Sequence, residues 1–128
     1  MFLISAIPPQ GPVELRAPLR YSRPMSAADL TLIREFKRRA EQALPGRIVR
    51  VMLYGSRARG EARPDSDWDV AIFIDGPPTP HDRHVLSDIG FDLMMESGQY
   101  FQTVALDAAR SPEGSYFLRN VLKDGLAA

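Results

Sequence analysis

Apolar positions recur along this chain with two different periods. Over residues 26–44, "SAADLTLIREFKRRAEQAL", Leu30, Ile33, Phe36, Ala40 and Leu44 fall three or four apart, which is one stripe of an α-helix. The aliphatic stem of Lys37 is an alternative to Phe36 at the centre of that stripe. Ser26 is placed to cap the helix, Asp29 follows three residues later, and Pro45-Gly46 ends it. Residues 47–55, "RIVRVMLYG", change period: a nearly continuous β-branched and apolar run that reads as a buried strand halted by Gly55. "SRARGEA", 56–62, reads as a short helical turn, and a loop continues through Pro64. "DWDVAIFID", 67–75, is a second strand, stopped by Gly76-Pro77-Pro78.

Thr79-Pro80 pairs a capping residue with a proline at the first helical position, so a second long helix is expected there. Val85, Leu86, Ile89 and Leu93 form one face of it and Gly98 closes it. Residues 100–106, "YFQTVAL", make a third strand. Ser111-Pro112 repeats the cap-and-proline start for a last helix through Lys123, ended by Gly125. Helix, strand, turn, strand, helix, strand, helix is the order of an α/β (α+β) domain: a small mixed β-sheet with helices on one face. No internal repeat or low-complexity segment interrupts it.

Composition narrows the class. At 128 residues the chain is the size of one domain. Five of its eleven prolines lie in residues 1–24, where lost amide donors and fixed φ disfavour a helix or central strand. Residues 1–24 are therefore read as an extension that is an arm, a disordered segment, or untranslated sequence ahead of Met25, and residues 25–128 as the domain. The absence of cysteine excludes disulfides and thiolate metal sites. Sixteen basic and sixteen acidic side chains balance, unlike the basic excess of proteins that coat duplex nucleic acid. No apolar run approaches the ~20 residues that span a bilayer, and "MFLISAI" lacks the charged start of a secretion signal. A cytoplasmic location without a membrane partner is the expectation.

The chemistry concentrates in residues 53–75. Asp67 and Asp69 are two apart on a strand, so both carboxylates point to one face. Their repulsion is about 1 kcal/mol at 4 Å in water and roughly four times that at a protein surface, unless a cation lies between them. Magnesium is commonly held by one or two carboxylates together with substrate phosphates. Taken alone, an Asp-x-Asp is also the ordinary signature of a solvated loop. Gly55-Ser56, upstream, ends a strand and opens a turn whose amides and hydroxyl can bind an anion, with Arg57, Arg59 and Arg63 nearby. An EF-hand loop starting at Asp65 fails, because its sixth position is Val70 and its twelfth is Gly76.

"GS", ten residues, then "DWD" resembles the signature of minimal nucleotidyltransferases of the DNA polymerase β superfamily, and most closely the antitoxin half of HEPN/minimal-nucleotidyltransferase pairs. The match is specific over about 51–75 and looser to the closing "FLRNVLKDGL". The resemblance implies a palm-like nucleotidyltransferase fold. It implies that Gly55 and Ser56, with Arg57 and Arg59, hold the triphosphate of ATP or another NTP, and that Asp67 and Asp69 are the catalytic carboxylates that bind Mg2+. It also implies transfer of a nucleoside monophosphate to a hydroxyl with release of pyrophosphate, and, in the antitoxins, a HEPN-domain protein as acceptor, in a homo- or hetero-oligomer.

Members of the superfamily commonly add a third carboxylate from a later strand, and here that strand offers Gln102 and Thr103. Asp107 lies at its far end, and Asp88, Asp92 and Glu96 belong to the preceding helix. Two other readings follow: a partner-binding antitoxin module that keeps the fold without catalysis, and a nucleotidyltransferase acting on a small molecule. His81 and His84 read as surface residues and Trp68 as core, while Phe91, Met94 and Met95 are either core or a docking face.

Overall fold

The computed structural model describes residues 27–128. The expected cap Ser26 and the extension over 1–24 lie outside the described residues. Seven elements follow one another: α1 (Ala27–Ala43), β1 (Ile48–Tyr54), β2 (Trp68–Ile74), α2 (Pro80–Ser97), β3 (Phe101–Asp107), α3 (Tyr116–Asp124) and β4 (Leu126–Ala127). The strands form one mixed sheet in the order β3-β2-β1-β4. β1 runs antiparallel to β2 and to β4, whereas β2 and β3 are parallel and need the α2 crossover between them.

β2 is buried on both faces, which is why its sequence is apolar throughout. Trp68, Val70, Ile72 and Ile74 face one way, together with Val51 and Leu53 of β1. They meet Ile33, Phe36, Ala40 and Leu44 of α1 and Leu86, Ile89 and Leu93 of α2. Phe36 is the residue at the centre of the α1 stripe, fully buried and stacked on Phe101, whose ring also stacks on Trp68. Lys37 instead reaches the backbone oxygen of Ala128 at 3.0 Å.

The intervening residues Met52, Ala71, Phe73 and Leu106 face the opposite way and are covered in part by Leu118 and Val121 of α3. Helices on one face therefore describes α1 and α2 but not α3. The period of an amphipathic helix locates its apolar stripe without saying which side of a sheet it lies on. α3 also starts later than Ser111-Pro112 suggests. Ser111 and Pro112 are used in a turn, accepting from the amides of Glu113 and Ser115, and Ser115 then caps the helix at the Leu118 amide. β4, two residues on Met52 and Leu53, is too short to leave a pattern.

The start of α2 is as expected. Thr79 accepts from the amide of Asp82 at 3.0 Å, and the Asp82 carboxylate accepts from the amide of Thr79 at 2.9 Å. Asp82 is buried and ion-paired to Arg47, which fastens α2 to the approach to β1. His81 and His84 are exposed, the latter 3.3 Å from Asp88. Among the described residues no helix is long and apolar enough to cross a membrane.

Candidate active site

Pairing of β1 with β2 sets Tyr54 opposite Asp69, so the residue after Tyr54 arrives beside the Asp69 carboxylate. That residue is Gly55, with φ +77°. A Cβ placed there would overlap the Asp69 carboxylate oxygen and lie 3.2 Å from its Cγ. The left-handed backbone favours glycine, and a side chain at 55 would displace the Asp69 carboxylate. The chain then turns: Arg59 N–H donates to the Gly55 carbonyl (3.1 Å), Glu61 to Ser56 (2.8 Å) and Gly60 to Arg57 (3.3 Å). The bond from Arg59 to Gly55 closes one helical turn, the short turn expected here, and it is not continued into a helix. The amides of Ser56, Arg57 and Ala58 precede the first donor of this series, as at a helix N-terminus.

Asp67 and Asp69 share the sheet face that α1 and α2 leave uncovered, and both are partly exposed. β3 pairs Gln102 with Asp69, and the Gln102 amide Nε2 donates to Asp67 Oδ2 at 3.0 Å. Burial pushes the Asp69 carboxyl up from its ordinary range, the neighbouring Asp67 charge pushes it further, and Arg59 pulls it back. Burial and the Asp69 charge likewise raise the Tyr54 phenol, which stays protonated at neutral pH. Two carboxylates side by side, open on one side, suit a hard divalent cation that brings further oxygen ligands with it. Among the described residues no group of three or more His, Cys, Asp or Glu gathers to hold an ion unaided.

Asp88, Asp92 and Glu96 lie on α2, across the sheet from Asp67 and Asp69, and Glu96 is engaged by Arg39. Asp107 pairs with Ile74 at the opposite end of β2. The arginines divide. Arg59 is half-exposed, near enough to Asp69 to affect its charge, and held 3.0 Å from Glu61. Arg57 turns to the other side. Its guanidinium carbon lies 4.7 Å from the centroid of the buried Trp68 ring, and its nitrogens donate to the Ser66 carbonyl (2.9 Å) and Gln99 Oε1 (3.1 Å). Gln99 Oε1 also accepts from the Trp68 indole at 3.1 Å. Arg57 therefore fastens the turn to the strand that carries the aspartates, a position at odds with the triphosphate contact expected of it. Arg63 is exposed, its amide donating to Ser66 Oγ at 2.8 Å.

Tyr54 and Gln99 escaped sequence reasoning. Tyr54 could have been found by folding the two strands back on each other through the connection at 55–67. Gln99 has no local signal, since it comes from the far end of α2.

The chain matches the family model of the nucleotidyltransferase domain over residues 33–101, more than half its length, and belongs to that family. It is 30% identical over 81 residues to a protein of Methanocaldococcus jannaschii named "putative protein adenylyltransferase", spanning 59% of this chain and 82% of that one. Among solved structures it resembles a "putative nucleotidyltransferase" from Sulfolobus solfataricus, with a TM-score of 0.52, 25% identity and 77% of each chain covered. It shares its fold with a toxin–antitoxin crystallised with AMP-PNP, with a TM-score of 0.54, 16% identity, and 73% of this chain and 69% of that chain covered. It also shares the fold of a mutant of the toxin–antitoxin MntA-HpeT, with a TM-score of 0.54, 14% identity and the same coverage. The chain is a nucleotidyltransferase.

Proposed function

We propose that this chain binds a magnesium–nucleoside triphosphate between the turn at 55–59 and the Asp67/Asp69 pair and transfers the nucleoside monophosphate, AMP first among them, to a hydroxyl of a partner protein. The partner is a HEPN-type toxin and the chain its cytoplasmic antitoxin. One observation carries the reading: Asp69 is seated against Gly55, so the metal-binding half of the motif directly faces its anion-binding half. The relative named as a protein adenylyltransferase and the two toxin–antitoxin neighbours, one with AMP-PNP, support the donor and the kind of acceptor.

In this reading the amides after Gly55, the Ser56 hydroxyl and Arg59 orient the triphosphate, while Asp67 and Asp69 hold Mg2+. The cation supplies charge neutralisation for the attacking and leaving oxygens of an in-line displacement. The acceptor oxygen forms a bond to the α-phosphorus, the bond from that phosphorus to the bridging oxygen of the β-phosphate breaks, pyrophosphate leaves with the electron pair, and the hydroxyl proton passes to solvent. Gln102, standing beside Asp67, accepts no proton. That same residue favours a second reading, a partner-binding module that neutralises its toxin by contact alone.

The test uses purified protein, Mg2+ and host lysate, with ATP labelled at the α or the γ phosphate. Transfer of the α label to a single protein band, abolished by Asp69→Asn, is the expected result. Transfer of γ label alone would make the reaction class wrong. No transfer despite capture of the toxin would put the contact-only reading first.

A further inference from the structure

Gln102 reaches the aspartate pair from outside the Gly55 turn. It comes from β3, in register with Asp69 across the parallel pairing, and its Nε2 donates to Asp67 Oδ2 at 3.0 Å. Asp67 and Asp69 face the same side of the sheet two residues apart, so two like charges stand side by side there. An amide donor on Asp67 relieves part of this without adding charge, and it fixes the orientation of the Asp67 oxygens. A Glu or Asp at 102 would do the reverse: repel both neighbours when empty and supply a third anionic ligand when a cation is present.

From this geometry we infer that Gln102 is a positioning residue that presets Asp67 and holds the site at two negative charges, so that the divalent cation enters as its complex with the nucleotide and not alone. The inference rests on the nucleotide reading above. Two carboxylates leave most of the coordination shell of a magnesium-like ion to other oxygens, and the phosphates of the bound triphosphate provide them. Without nucleotide, the free ion would have to shed water in exchange for two ligands, one of which has an oxygen accepting from Gln102. Loading is then ordered by charge: nucleotide and metal together or neither.

The experiment reads metal occupancy, not turnover. Mn2+ is titrated into the full chain and the protein-bound share is followed by equilibrium dialysis against the same Mn2+ solution, first alone and then with equimolar AMP-PNP on both sides, for wild type, Gln102→Glu and Gln102→Leu. For the wild type, Mn2+ retention is expected to rise at least about tenfold when AMP-PNP is present. Gln102→Glu should bind Mn2+ alone about tenfold tighter than the wild type, because a third charge replaces the nucleotide's contribution. Gln102→Leu should lose about tenfold in affinity for Mn–AMP-PNP as Asp67 loses its orienting donor, with its melting temperature unchanged. Wild type that binds free Mn2+ as tightly as Mn–AMP-PNP, or a Gln102→Leu variant indistinguishable from wild type, overturns this role for Gln102 and leaves the functional reading standing. Wild type that binds Mn2+ neither alone nor with AMP-PNP overturns both.

Discussion

Gly55 and Asp69 occupy one another's space: the Asp69 carboxylate fills the position where any side chain at 55 would begin. The contact follows from β1 and β2 being paired at Tyr54 and Asp69, so the turn that follows β1 starts within reach of the acid that opens β2. A two-part sequence motif thereby becomes one site through a single backbone register.

Gly55→Ala should therefore damage the site more than the fold. A left-handed φ costs a non-glycine residue about 1–2 kcal/mol, which lowers the melting temperature of a domain this size by roughly 5 °C. The displaced Asp69 should cost nucleotide transfer about 100-fold or more. A melting curve beside an assay with α-labelled ATP separates the two; full activity in Gly55→Ala would remove the basis for the proposed site.

Asp69→Asn is expected to lose activity without losing stability. Burial and the Asp67 charge both oppose ionisation of Asp69. The neutral amide should leave the melting temperature in EDTA unchanged or raised, while transfer falls about 100-fold or more. A lower melting temperature for the variant would mean that the carboxylate has a structural partner beyond those described.

Arg57 and Arg59 should separate cleanly. Arg57→Ala removes a buried guanidinium stacked on Trp68 and bonded to Ser66 and Gln99, and should cost about 2–3 kcal/mol of stability. Trp68 is the only tryptophan, so its emission reports the change directly. Arg59→Ala, at a half-exposed residue, should keep the wild-type melting temperature and raise KM for ATP. The reverse pattern would return Arg57 to the phosphates.

Acid should loosen the joint between α2 and β1 through Asp82. Its hydrogen bond from Arg47, helped by the amide and hydroxyl of Thr79, holds the carboxyl below its ordinary range against the opposing effect of burial. A depressed folded value means that the unfolded chain takes up the proton first. The contribution is thus complete above the ordinary aspartate range near pH 4 and is lost as pH falls through the folded value. Denaturant unfolding of Asp82→Ala should show about 2 kcal/mol less stability than wild type at pH 7 and a smaller difference at pH 3. An equal difference at both pH values would assign the loss to packing alone.

The sequence by itself determined the three main strands, the α1 stripe, the Thr79-Pro80 start of α2 and the pairing of a Gly-Ser turn with an Asp-x-Asp strand. Each is written in near neighbours, in periods of two or 3.6 residues or in a cap and the proline beside it. What lies between elements was decided by the tertiary structure. α3 crosses to the other face because Leu118 and Val121 fit Met52, Ala71 and Phe73, and nothing in a helical period selects that side. Arg57 and Arg59, two positions apart in one basic run, separate because Trp68 and Gln99 offer one guanidinium a buried, bonded place while the other stays half-exposed beside Glu61 and near Asp69. Gln102 meets Asp67 only because β3 lies parallel to β2 in that register. Local patterns fix what each segment is, while contacts between distant segments fix which of its side chains reach the site.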